Sequence, residues 1–241
     1  MPDLRIFDVL PNTTLFEVDA GLLDDDLLAE QMRLLVGLVS QDRRAGLNSR
    51  IPALWQGHED ALALRLNQLI AEMTLRGQAT PGPVAVTTES LLWPALDPVS
   101  LNGQLGVIRA RAEAGKPGRI RLPRNDHELW ATYKYSVLAR NTRAYQNFGQ
   151  RVASRSVTVE ALWASMINAT RVAPSQGGVR NALQHMWGYV SGHATINPQT
   201  DDLAGLAEHI QTLAANYQVS YLLNSTALSE LGVWLQIRRG D

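Results

Sequence analysis

Apolar residues recur along much of this chain at intervals of three and four. Between residues 57 and 76 a single stripe is formed by Leu62, Leu66, Leu69 and Met73, and Gly77 ends it. Between residues 22 and 40, Leu27, Leu28, Leu34, Leu35 and Leu38 repeat the pattern. That spacing places side chains on one face of a helix, whereas a half-buried strand requires strict alternation. Helices with one apolar stripe bury it by packing on other helices. The spacing therefore predicts an all-α protein.

Punctuation residues divide the pattern. Asp24, Asp25 and Asp26 fall in the first turn of the 22–40 helix, where carboxylates suit the positive helix end. The polar stretch 41–50, with Gly46 and Asn48, reads as a loop. Residues 78–98 carry Pro81, Pro83, Pro94 and Pro98 and read as a linker, anchored by Leu91, Leu92 and Trp93. A further helix is expected over 99–114, closed by Gly115 and Pro117. Asn125 followed by Glu128 is a capping-box pattern that opens a helix. Helical segments then follow at about 126–140, 142–154, 158–172, 176–191, 201–223 and 226–238. Leu4–Val9 alternates apolar and polar residues before Pro11, so it reads as a short strand or extended arm. The expected architecture is two fused helical units of eight or nine helices with at most one short N-terminal strand. They divide as a unit over 1–80, a proline-rich and basic connector over 81–124, and a helical domain over 125–241.

Composition narrows the function. Hydrophobic residues make up 45% and charged residues 19%, the proportions of a globular chain with a core. With no cysteine, a disulfide framework, a thiolate zinc site and a cysteine nucleophile are all excluded. No apolar run approaches the ~20 residues that cross a bilayer, so no membrane partner is expected. The first residues lack the basic start and apolar run of a signal peptide, which predicts a cytoplasmic protein. His58, His127, His185, His193 and His209 stand in no recognised ligand spacing, and no phosphate-loop or nucleophile-elbow motif occurs. Neither a metal nor a cofactor is expected.

Charge is unevenly distributed. Residues 91–160 hold eleven basic against five acidic side chains, a net of +6, whereas residues 1–90 have a net of −6. Arg109, Arg111, Arg119, Arg121, Arg124, Lys134, Arg140 and Arg143 are the candidate contacts to nucleic acid. They interleave with Trp130, Tyr133, Tyr135, Tyr145 and Phe148. Cations hold backbone phosphates and aromatic faces stack bases. The aromatics also suit a core, since Trp130, Tyr133 and Val137 share a helical face, and the charges also suit an ordinary solvated surface. Gly177-Gly178, beside Arg180 and Asn181, opens a helix and reads as a tight turn or as a phosphate-holding N-terminus.

Two resemblances refine these expectations. Over about residues 125–236 the chain resembles the helical domain of unknown function typified by the YbgA family. The resemblance is carried by Tyr133-Lys134-Tyr135, Leu138-Ala139, Tyr145, Gly149 and Val152-Ala153. A second cluster is Asn181, Leu183-Gln184-His185 and Gly188-Tyr189. It implies a nucleic-acid-binding accessory rather than a catalyst. Over about residues 4–80 the chain resembles pyrimidine-dimer DNA glycosylases of the endonuclease V type. The marks are Leu4-Arg5-Ile6-Phe7-Asp8, Leu27-Leu28-Ala29-Glu30, and the helix from His58 to Gly77. Such enzymes attack with an N-terminal amine, assisted by a helix-borne glutamate.

Here the corresponding run is Glu30-Gln31-Met32-Arg33-Leu34. The family's catalytic glutamate falls on Arg33, which accepts no proton near neutral pH. The resemblance thus implies a nucleic-acid-binding protein of DNA-repair ancestry with lost or altered catalysis, DNA being favoured and RNA allowed. The alternative is an active glycosylase/lyase with Pro2 as the amine nucleophile and Arg5 and Glu30 as catalytic neighbours. A third reading is a non-enzymatic interaction scaffold.

Overall fold

The structure, a computed structural model, describes residues 14–45, 51–89, 91–195 and 202–237. Among these residues it contains ten α-helices and no strand. The arm expected at Leu4–Val9 lies outside the described residues. The chain divides into two compact units, Met1–Gly118 and Arg119–Asp241. The region expected as a connector, up to Gly118, is thus part of the first unit.

The first unit is built on α1 (Asp25–Ala45), α2 (Glu59–Leu75) and α3 (Pro98–Glu113). Asp24 caps α1, its Oδ1 accepting from the N–H groups of Asp26 (3.1 Å) and Leu27 (3.2 Å). The helix runs on to Ala45, so residues 41–45 of the stretch expected as a loop are helical, and residues 46–50 lie outside the described residues. Leu28 and Leu35 of α1 and Leu62, Leu66 and Leu69 of α2 are at most 2% exposed. Burial of each contributes roughly 1.5–3 kcal/mol, which explains why the leucine stripes mark the packed pair. Gly77 ends α2 as expected, at φ +71°, where a side chain would be strained.

No helix or strand occurs between α2 and α3 among the described residues, and this segment is held by side chains. The Asn67 amide exchanges two hydrogen bonds with the backbone of Val84 (2.8 and 2.9 Å). Trp93 packs edge-on against Trp55, with centroids 6.1 Å apart. Leu92, expected among the anchors, is 67% exposed. Asp97 caps α3 and Pro98 occupies its first turn.

The second unit surrounds α4 (Asp126–Leu138) with α5 (Thr142–Ala153), α6 (Val159–Thr170), α7 (Gln176–Trp187), α8 (Leu203–Asn216), α9 (Ser220–Leu223) and α10 (Ala227–Ile237). Asn125 caps α4, accepting from Glu128 N–H at 2.9 Å. Asn141, Thr158, Ser175 and Asp202 cap α5 to α8 in the same way. Leu129, Tyr133 and Val137 form the buried face of α4, and Tyr133 meets Trp163 edge-on at 5.9 Å.

The single helix expected over 201–223 is two. Gln218 adopts φ +52°, and Val219 N–H reaches back to the Ala214 carbonyl (2.9 Å), closing α8 in a left-handed cap. α10 is pinned to α4 by Thr226 N–H donating to the Thr132 carbonyl (3.0 Å) and by the Ser136–Thr226 hydroxyl pair (2.7 Å).

Candidate functional site

The eight cations singled out from the sequence fall in both units and in unlike surroundings. Arg109 and Arg111 belong to the first unit and the other six to the second. Arg109 is exposed. Arg111 pairs with Asp24, and its guanidinium lies 3.6 Å from Asp26. Burial alone would raise the pKa of Asp24, but Arg111 and the capping N–H groups outweigh it and hold the carboxyl below its ordinary value. The aspartates of the helix start therefore also clamp α1 to α3.

In the second unit, Arg119 donates to the carbonyls of Leu223 and Ser225 and lies 3.4 Å from Ser229 Oγ. Arg140 forms a forked pair with Glu230, both contacts at 2.9 Å, with side chains 2% and 6% exposed. It also donates to the carbonyls of Val172 (2.6 Å) and Ser136 (2.8 Å). Arg124 pairs with Glu128 at 2.7 Å on the surface. Arg119 and Arg140 are thus internal struts. Arg121, Lys134 and Arg143 have no acidic partner among the described residues. Arg143 is exposed at the start of α5.

Lys134 stands at the centre of an aromatic cluster. Its Nζ lies 4.8 Å from the Tyr135 ring centroid and 4.9 Å from that of Tyr221 on α9. Tyr221 stacks on Tyr189 at 4.7 Å with 19° between planes and meets Tyr135 edge-on at 6.4 Å. His185, near the end of α7, lies parallel to Tyr135 at 6.4 Å. A lysine over two rings is favourable by about 0.5–1 kcal/mol at exposed sites and more when desolvated. Tyr135 is 3% exposed while Tyr189 is 44% exposed, so the cluster runs from the core to the surface.

Burial first, and then the neighbouring Tyr189 hydroxyl, push the Tyr135 pKa above the ordinary tyrosine value. Tyr189, beside the Tyr135 hydroxyl and the Lys134 charge, is held below it despite some burial. Beside the cluster opens a pocket of about 520 Å³. Arg121, Arg124, Glu128, Thr132, Ser220 and Tyr221 contribute to its walls, so Tyr221 belongs to both pocket and cluster. Arg121 is exposed there, and its N–H donates to Asn224 Oδ1 at 3.0 Å.

Pro2 and Arg5 lie outside the described residues. Glu30 and Arg33 are exposed on α1, and Met32 is buried at 6% exposure. Of the pair Gly177-Gly178, only the second is required by packing. A Cβ on Gly178 would lie 2.0 Å from the Ala139 carbonyl oxygen, and Ser175 Oγ already accepts the Gly178 N–H (3.0 Å). Among the described residues no three His, Asp or Glu side chains gather in a metal-binding group. No helix among them is long and apolar enough to cross a membrane.

From the sequence Tyr135 suited base stacking and a core alike, Tyr189 carried no contact role, and Tyr221 did not stand out. Tyr189 stood in the second signature cluster, which signalled it. The rings bring together Tyr133-Lys134-Tyr135 and Leu183 to Tyr189, some fifty residues apart in sequence. Nothing in the pattern around Tyr221 marked it.

Residues 134–231 match the model of a family described as a protein of unknown function, DUF1722. The matched stretch starts at Lys134 and contains Tyr135, His185, Tyr189 and Tyr221. The C-terminal resemblance therefore holds at the level of a helical domain of unknown function, and no glycosylase family matches the N-terminal part. None of the curated proteins and none of the solved structures compared matches the chain.

Proposed function

We propose that the second unit binds nucleic acid through the Lys134–Tyr135–Tyr189–Tyr221 cluster and the Arg121-lined pocket next to it. One observation carries the reading: an aromatic wall reaching the surface, with Lys134 set over its rings and Arg121 beside it lacking an acidic partner. Phosphates take the cations, and bases find aromatic faces worth about 1–3 kcal/mol each. The arginines locked into internal pairs take no part. The reading covers DNA and RNA alike and needs no glycosylase chemistry.

The test is a fluorescence-anisotropy titration of labelled DNA and RNA oligonucleotides at several salt concentrations. Affinity is expected to fall as salt rises, and Lys134→Ala to weaken binding. Absence of salt-sensitive binding even at low ionic strength refutes the reading.

A further inference from the structure

We infer that the pocket beside the tyrosine cluster seats a single unpaired nucleotide, with its phosphate on Arg121 and its base against the Tyr221 wall. The inference rests on the nucleic-acid reading above and specifies the form of nucleic acid. It starts from shape. A pocket of about 520 Å³ lies within the roughly 300–1,000 Å³ typical of clefts that enclose small ligands. A duplex presents its phosphates on a convex surface and keeps its bases paired inside. A base enters a concave site of this size only when it is splayed out of the stack.

Charge agrees with one phosphate. Arg124 and Glu128 balance each other across a 2.7 Å ion pair, which leaves Arg121 as the uncompensated charge on the wall among the described residues. A single exposed guanidinium suits one phosphodiester. A polyphosphate would need more. The remaining wall is chemically divided. The Asn224 amide is already engaged, accepting from Arg121 N–H and donating to the Ser220 carbonyl (2.8 Å), so it fixes the rim. The Ser220 hydroxyl is exposed at the edge, within the chemistry of a sugar hydroxyl or base edge. The Tyr221 ring is held in place by Tyr189 and by Lys134, so the aromatic wall is rigid before any ligand arrives. Preorganisation of this kind lowers the ordering cost of binding.

Competition against a labelled single-stranded oligonucleotide, with the full chain at fixed low salt, tests this. The competitors are the same strand unlabelled, that strand annealed to its complement, and the mononucleotides AMP and UMP. The single strand is expected to compete at least ~10-fold better than the duplex. Mononucleotides competing as well per mole as the strand identify a free nucleotide as the occupant and keep the single-nucleotide seat; weaker competition assigns the seat to a strand. Arg121→Ala is expected to weaken the single strand ~10-fold, the scale of one charged hydrogen bond, without moving the melting temperature. Equal binding of duplex and single strand, or an Arg121→Ala variant that binds the strand like the parent, overturns the inference while leaving nucleic-acid binding intact. No binding of any oligonucleotide removes both.

Discussion

Arg140 gives the sharpest separation between a structural and a binding role for the basic residues. Its guanidinium is enclosed by the Glu230 carboxylate, two backbone carbonyls and the Trp234 ring, whose centroid is 5.8 Å away. Arg140→Ala leaves the Glu230 carboxylate buried without its counter-ion. Removing one member of such a pair costs about 3–5 kcal/mol, chiefly from the stranded charge. Domains are stable by only ~5–15 kcal/mol, so about a fifth or more of the total is at stake. For a unit of this size, at about 4 °C per kcal/mol, the second unit's melting temperature should fall by roughly 12–20 °C. Arg140→Met combined with Glu230→Leu removes both charges and should recover to within about 1–2 kcal/mol of the parent. Urea titrations followed by circular dichroism and tryptophan fluorescence measure each value. A single variant within ~1 kcal/mol of the parent, or a double variant as unstable as the sum of its parts, refutes the assignment of Arg140 as an internal strut.

Gly178→Ala should destabilise the second unit by about 1–3 kcal/mol, because the new methyl meets the Ala139 carbonyl rather than a movable side chain. Gly177→Ala, with nothing within 4 Å of the added carbon, should be neutral or gain up to ~1 kcal/mol in thermal melts. The first unit should lose stability in acid through Asp24. Its folded pKa lies below the unfolded value, so the contribution is complete above about pH 4 and is lost as pH falls through the folded value. Asp24→Asn should lower stability at neutral pH and flatten that acid limb in melts between about pH 2 and 6.

Most of the fold was legible because local rules and packing agreed. The leucine stripes of α1 and α2, the Asn125 cap and the Gly77 stop each acted through neighbours a few residues away. The split of α8 from α9 was not legible: Gln218 takes a left-handed conformation that nothing in its own chemistry demands. The site was legible only in part. Charge counts along the sequence treat Arg121 and Arg140 alike, yet one faces a pocket and the other is 2% exposed against a glutamate ninety residues away. A partner that distant leaves no local trace. Tyr221 failed for the same reason, since its meaning comes from Lys134 and Tyr189 reaching it across the unit.

Gly178 ties the beginning of α7 to the end of α4 at backbone contact. Lys134 and Tyr135 ride on α4, while His185 and Tyr189 lie on and just past the far end of α7. A twelve-residue helix fixed at its start carries its other end as a lever. Prying the two helices apart by one methyl group would therefore swing Tyr189 relative to Tyr135, and a surface ring would register a change made at the opposite end of its helix.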